Sequence, residues 1–140
     1  MKLRSIKLSD TRKITELFEE VLSEECYEQT IEAFGRQLSW DSDLVLVAEA
    51  DEKIVGVIIG TIDNNKGYYY RIAVSASYQR QGVGKQLANA LKQRFEEKKV
   101  TKIYVTADEH NEPILPLFES IGFVASDFIR SFQKLSIVAG

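Results

Sequence analysis

The spacing of apolar positions changes several times along this chain, and each change marks an element. Residues 2–7 (KLRSIK) alternate with the period of a strand. Ile14, Leu17, Phe18, Val21 and Leu22 then fall on one face of a helix, with Ser9 or Asp10 in front of it as its cap. A Glu-rich break at Ser23-Glu24-Glu25 separates this helix from a second, in which Tyr27, Ile31, Phe34 and Leu38 keep helical spacing. Trp40 reads as a cap over the core at the next break. Leu44–Ala48 (LVLVA) is a continuous apolar run, as expected of a strand buried on both faces. Turns at Ala50-Asp51-Glu52 and at Asp63–Gly67 enclose a long β-branched strand, Ile54–Ile62, and Tyr68–Val74 is the fourth strand. Strict alternation along the fourth strand would put Tyr68, Tyr70 and Ile72 on one face and Tyr69 and Arg71 on the other. Val83, Leu87, Leu91 and Phe95 at i+4 steps, with Ala88 beside them, predict a third helix. Lys102–Ala107 is a fifth strand and Pro116–Ile121 a short helix, after which Gly122-Phe123 turns the chain into C-terminal strands ending at Phe132.

Strands joined by tight turns, followed by strand–helix–strand, make an α/β protein with a mixed sheet and helices on both faces. The fourth and fifth strands, joined by a helical crossover, are expected to be parallel. The length of 140 residues fits a single domain, 1–140. A net charge of -3 and a pI near 5.3 argue against a nucleic-acid partner or an anionic membrane. One cysteine, Cys26, allows no internal disulfide and reads as a small buried residue. No apolar run is long enough to span a bilayer, and the first residues lack the apolar core of a signal peptide, so a cytoplasmic location is expected.

Chemistry concentrates in YRIAVSASYQRQGVGK, residues 70–85. An apolar strand runs through a short turn into Gln79-Arg80-Gln81-Gly82-Val83-Gly84-Lys85, and a helix begins there. The first N–H groups of a helix have no partner within it and carry the positive end of its dipole. Two glycines let an anion approach such amides closely. The spacing is not that of a P-loop, because Gln86 follows Gly84-Lys85 and Gln79 stands five positions before Gly84. Nor is it the dinucleotide fingerprint, whose third glycine would fall at Leu87.

The remaining pattern, Q-x-x-G-x-G between a strand and a helix, resembles the acetyl-CoA pyrophosphate loop of the GNAT superfamily of N-acetyltransferases. Ile72-Ala73-Val74 before it, Tyr78, and the later Asn111 and Gly122-Phe123 follow in that family's order, so the resemblance covers the chain from about Lys2 to Phe132. It implies a sheet of about six to seven strands with about four helices, splayed between the fourth and fifth strands. It also implies acetyl-CoA as co-substrate, with no metal, and direct transfer of the acetyl group to a primary amine of a small molecule or to an exposed amino group. Carried over residue by residue, it gives cofactor contacts to the backbone of Ile72, Ala73 and Val74, to Gln79, Arg80, Gln81, Gly82, Val83, Gly84 and Lys85, and to Asn111 and Phe118.

Two residues depart from that pattern. Phe118 stands seven positions after Asn111, where the family carries a Tyr that acts as the acid. Either another group supplies the proton, or the thiolate leaves unaided; the alternative is a non-catalytic acyl-CoA-binding module of the same fold. Pro116 would break a helix begun at Asn111, so the helix is expected to start near Pro116. Tyr68 is the candidate base, and with Tyr70 it is also a candidate for the acceptor pocket wall. Glu24 and Glu25 lie where an ammonium could be attracted, though a solvated turn suits them better. His110, the one histidine, reads as a surface residue. Phe128, Ile129 and Phe132 could pair two copies into a homodimer.

Overall fold

The computed structural model describes residues 1–108, 110 and 114–130. Its elements are β1 (Lys2–Ser5), α1 (Thr11–Val21), α2 (Glu24–Trp40), β2 (Val45–Ala50), β3 (Lys53–Asp63), β4 (Lys66–Val74), α3 (Val83–Glu97), β5 (Lys102–Thr106), α4 (Leu115–Ser120) and β6 (Phe128–Ile129). They form one mixed sheet in the order β1-β2-β3-β4-β5-β6, as expected for this fold. The first four strands are antiparallel, and β5 and β6 are added in parallel. The two hairpin turns place Asp51 and Glu52, then Asn64 and Asn65, at positive φ. That is the handedness that matches strand twist, and Asn and Asp adopt it more readily than most residues.

The sheet separates two cores. On one face, α3 brings Val83, Leu87, Ala88, Leu91 and Phe95 onto Leu44, Leu46, Ile58, Tyr69, Ile72 and Val105. On the other, Ile14, Leu17 and Phe18 of α1 and Ala33 and Phe34 of α2 cover Val45, Val47, Val57 and Ile59. The helix α3 lies close because the strand beneath it carries glycine. A Cβ at Gly60 would come within 2.8 Å of both Leu91 Cδ2 and Phe95 Cζ, and 3.2 Å from the Tyr68 carbonyl. We expect Gly60→Ala to destabilise the fold by about 1–3 kcal/mol through overpacking. Urea denaturation would measure it, and an unchanged midpoint would count against this packing.

One irregularity decides where the sheet opens. Gly60 pairs with Tyr69, but the next pair is Ile59 with Arg71, so Tyr70 is an extra residue, a β-bulge. The bulge overturns the alternation expected for β4. Ile72 joins the α3 core, whereas Tyr68 and Tyr70 join the α1/α2 core. Arg71 likewise reaches α2, where its Nε donates to Thr30 Oγ1 at 3.1 Å. Pairing of β4 with β5 ends at Tyr69 and Val105, immediately before the bulge. Beyond it the two strands diverge, and the edge of residues 72–74 turned away from β3 has no strand beside it among the described residues. The expected splay is therefore present.

Local expectations at three side chains need correction. Asp10 precedes α1 but does not cap it; its carboxylate turns back to accept from Arg4 Nη1 and Nη2 (2.7 and 3.0 Å) and from the Lys7 amide (2.7 Å). A nearby guanidinium outcompetes the helix amides for it. Trp40 is 47% exposed at the end of α2, so it covers no core. His110 is half-buried rather than on the open surface. Ser23 Oγ accepts from Cys26 N (3.2 Å) as the cap of α2, and Cys26 is buried, as expected. Phe128 and Ile129 form β6 and are half-buried; Phe132 lies outside the described residues. No helix among the described residues is long and apolar enough to cross a membrane.

Candidate active site

The site grows out of the end of β4. Residues 76–78 make one 3-10 turn, Gln79 is extended, and Arg80 and Gly82 take positive φ (65° and 82°) before α3 starts at Val83. Gly82 suits that conformation; Arg80 adopts it against a steric cost of about 1–2 kcal/mol. Such strain persists only where neighbours hold it. Gln79 Nε2 donates to the Val74 carbonyl (3.0 Å) and Gln81 Nε2 to the Ser77 carbonyl (3.1 Å), tying the loop to itself.

No side chain caps α3. Its first internal bond is donated by the Gln86 amide to the Gly82 carbonyl (3.0 Å), so the amides of Val83, Gly84 and Lys85 precede the helix's own ladder. These residues line a cleft of about 490 Å³ together with Ile72, Ala73, Val74, Gln79, Arg80 and Gly82. One further wall is Val21 and Leu22 at the end of α1, and another is His110, Ile114 and Leu117. The structure thus gathers in one cleft every described residue expected to touch the cofactor except Gln81 and Phe118. Gln81 is outside the lining, with its amide engaged by Ser77.

The two glycines have different reasons. A Cβ on Gly82 would meet nothing closer than Gln86 Nε2 at 4.0 Å, so its backbone conformation is what requires glycine. A Cβ on Gly84 would sit 2.9 Å from Leu117 Cδ1, so Gly84 admits the close approach of α4.

Phe118 is 3% exposed and packs under the cleft, its ring 4.8 Å from Tyr69 and 6.1 Å from Phe123. Asn111 lies outside the described residues. The helix that follows begins at Leu115 with Pro116 in its first turn, where a missing N–H does no harm, close to the expected start. Tyr68 does not reach the cleft. It is 7% exposed and stacked on Tyr104 at 5.6 Å, and burial pushes its phenol up, which makes it a poorer base. Tyr70 is pushed up in the same way. Glu24 and Glu25 are exposed in the first turn of α2.

Sequence reasoning gave no role to Arg71. It is 3% exposed at the fork, its guanidinium 4.9 Å from the Tyr70 ring centre and its Nη1 3.4 Å from Asp108 Oδ1. The same Asp108 oxygen accepts the His110 amide (2.8 Å). Arg71 thereby braces the diverging strands and fixes the segment carrying His110. A lone Arg within the apolar run YYYRIAV was the available signal.

A family model of the acetyltransferase (GNAT) family matches residues 12–123. The chain belongs to that family. Solved GNAT-like structures share its fold at low identity. The ribosomal-protein-S18-alanine N-acetyltransferase of Escherichia coli superposes with a TM-score of 0.70 at 21% identity, over 88% of this chain and 77% of that one. The aminoglycoside 6'-N-acetyltransferase of Acinetobacter haemolyticus gives 0.72 at 16% identity, over 94% and 97%. The PaiA N-acetyltransferase of Thermoplasma acidophilum, in complex with coenzyme A, gives 0.70 at 20% identity, over 88% and 89%.

Proposed function

We propose that this protein is an acetyl-CoA-dependent N-acetyltransferase that moves the acetyl group directly to a primary amine of a small molecule or an exposed amino group. The observation that carries the reading is the start of α3, which no described side chain caps, opening into the same cleft as the edge of residues 72–74. Helix-start amides suit a diphosphate, and a strand edge suits the amides of a pantetheine arm. Three solved structures of similar fold support it: one is an N-acetyltransferase for a ribosomal protein, one for an aminoglycoside, and one holds coenzyme A.

When bound, acetyl-CoA supplies an activated acetyl thioester. The protein's contribution is to hold it, align an amine with it, and manage protons. An alkylammonium keeps its proton to about pH 10, so the acceptor must lose one before it attacks. A strand amide near Ile72–Val74 can donate to the carbonyl oxygen as charge develops there. Phe118 has no proton to give. His110 brings an imidazole to the cleft lining, a group whose two ring nitrogens can donate and accept a proton. We assign proton delivery to it and expect His110→Ala to lower kcat by about 10²-fold with coenzyme affinity nearly unchanged. Steady-state kinetics beside calorimetry would check this, and equal kcat in the variant removes the assignment.

The alternative of a non-catalytic acyl-CoA-binding module rests on Phe118. Calorimetry with coenzyme A, followed by an amine panel with thiol release as readout, separates the two. Binding without turnover on any amine favours the module. Absence of binding removes both.

A further inference from the structure

The turn that launches the coenzyme loop is not capped by its own residues. Ser75 stands at the N-terminus of the 76–78 turn, yet its hydroxyl makes no cap. The capping role is taken by a residue from far back in the chain. Glu20, in the last turn of α1, uses Oε2 to accept from the Ala76 amide (3.0 Å) and from Ser75 Oγ (3.1 Å). A second clasp comes from the β2–β3 turn, where Tyr78 Oη donates to Asp51 Oδ2 (2.9 Å).

Glu20 differs from the other clasp in what it connects. The next two residues after it, Val21 and Leu22, form one wall of the cleft. The turn it holds leads directly into Gln79 and Arg80 on another wall. One carboxylate therefore sets the distance between the end of α1 and the coenzyme loop. We infer that Glu20 is a positioning residue, a latch that holds the loop in its binding-competent shape before coenzyme arrives. The inference rests on the coenzyme-binding reading above. A loop released from the latch samples other shapes, and affinity falls by the fraction of time it is out of place.

The chemistry separates the latch from simple charge. A glutamine at position 20 keeps a carbonyl oxygen for the Ala76 amide and drops the negative charge; an alanine drops both. Losing both hydrogen bonds frees the turn to leave its bound shape and weakens binding by about tenfold. The experiment is calorimetry of Glu20→Ala, Glu20→Gln and Ser75→Ala with coenzyme A, beside amide hydrogen exchange of the ligand-free proteins. We expect about tenfold weaker binding in Glu20→Ala, binding within about twofold of wild type in Glu20→Gln, and an intermediate loss in Ser75→Ala. Exchange at Ala76 should be faster in Glu20→Ala with the core strands unaffected, a change that a general loss of stability does not produce. Wild-type affinity in Glu20→Ala, or an equal loss in Glu20→Gln, overturns the latch. If wild type itself binds no coenzyme A, the functional reading fails, and Ala76 exchange alone still decides whether Glu20 holds the turn.

Discussion

Gly82→Glu should remove the proposed coenzyme binding while leaving the fold standing. Two effects add at this position. Any L-residue at a φ of +82° is strained by about 1–2 kcal/mol. The carboxylate also enters the region in front of the amides of Val83, Gly84 and Lys85 at the positive helix end, where it would repel a diphosphate. Two like charges about 4 Å apart near a protein surface repel by about 4 kcal/mol. Together these predict at least a 10²-fold loss of affinity for coenzyme A by calorimetry, with a cooperative thermal transition retained. The fold survives because a Cβ there points into open space. Gly82→Ala carries only the strain and should lose about tenfold. Gly84→Glu is a poorer test, since its side chain drives into Leu117 and displaces α4. Binding of wild-type strength in Gly82→Glu would mean that the diphosphate sits elsewhere.

Asp10→Ala should cost about 3 kcal/mol of stability, because removing one partner of a buried ion pair strands the other. Asp10 is 5% exposed and joins three things: the Arg4 fork, the Lys7 amide and the start of α1. Without it, Arg4 keeps Glu49 alone as a carboxylate partner among the described residues (3.0 Å), and the Lys7 amide loses its acceptor. Hydrogen bonding to Arg4 holds the Asp10 carboxyl below the usual carboxylate range. A carboxyl lowered in the folded state gives stability that is fully present above its unfolded value, near pH 4, and is lost as pH falls through the folded value. Urea midpoints measured from pH 7 downward should therefore converge for wild type and Asp10→Asn at the acid end. Parallel curves at all pH values would show that Asp10 contributes no proton-linked stability.

The loop and helix start proposed to hold the coenzyme were legible as structure because backbone requirements leave marks in sequence. Gly82 marks a left-handed residue, Val83, Leu87, Leu91 and Phe95 mark the helix, and their order after an apolar strand marks the uncapped start. The acceptor side left no such marks. An inserted residue in a strand needs no glycine or proline, so nothing in YYYRIAV announced that Tyr70 is out of step, and the faces of Arg71 and Ile72 were read the wrong way round. Asp10 has the composition of a cap, and only the fold reveals that Arg4 competes for it. His110 looked like a surface residue because the brace that turns it inward, Arg71 to Asp108, joins positions 37 apart in the chain.

Tyr70 makes the difference between an open and a closed sheet. Without that single residue β3 and β4 would stay in phase throughout, with Ile72 still opposite Ile58 on the α3 side, and nothing would bend β4 away from its parallel neighbour. The two strands could then zip together to their ends, filling with their own backbone the slot proposed for a guest chain. A one-codon deletion would thus give a better-paired sheet with no room for the proposed guest.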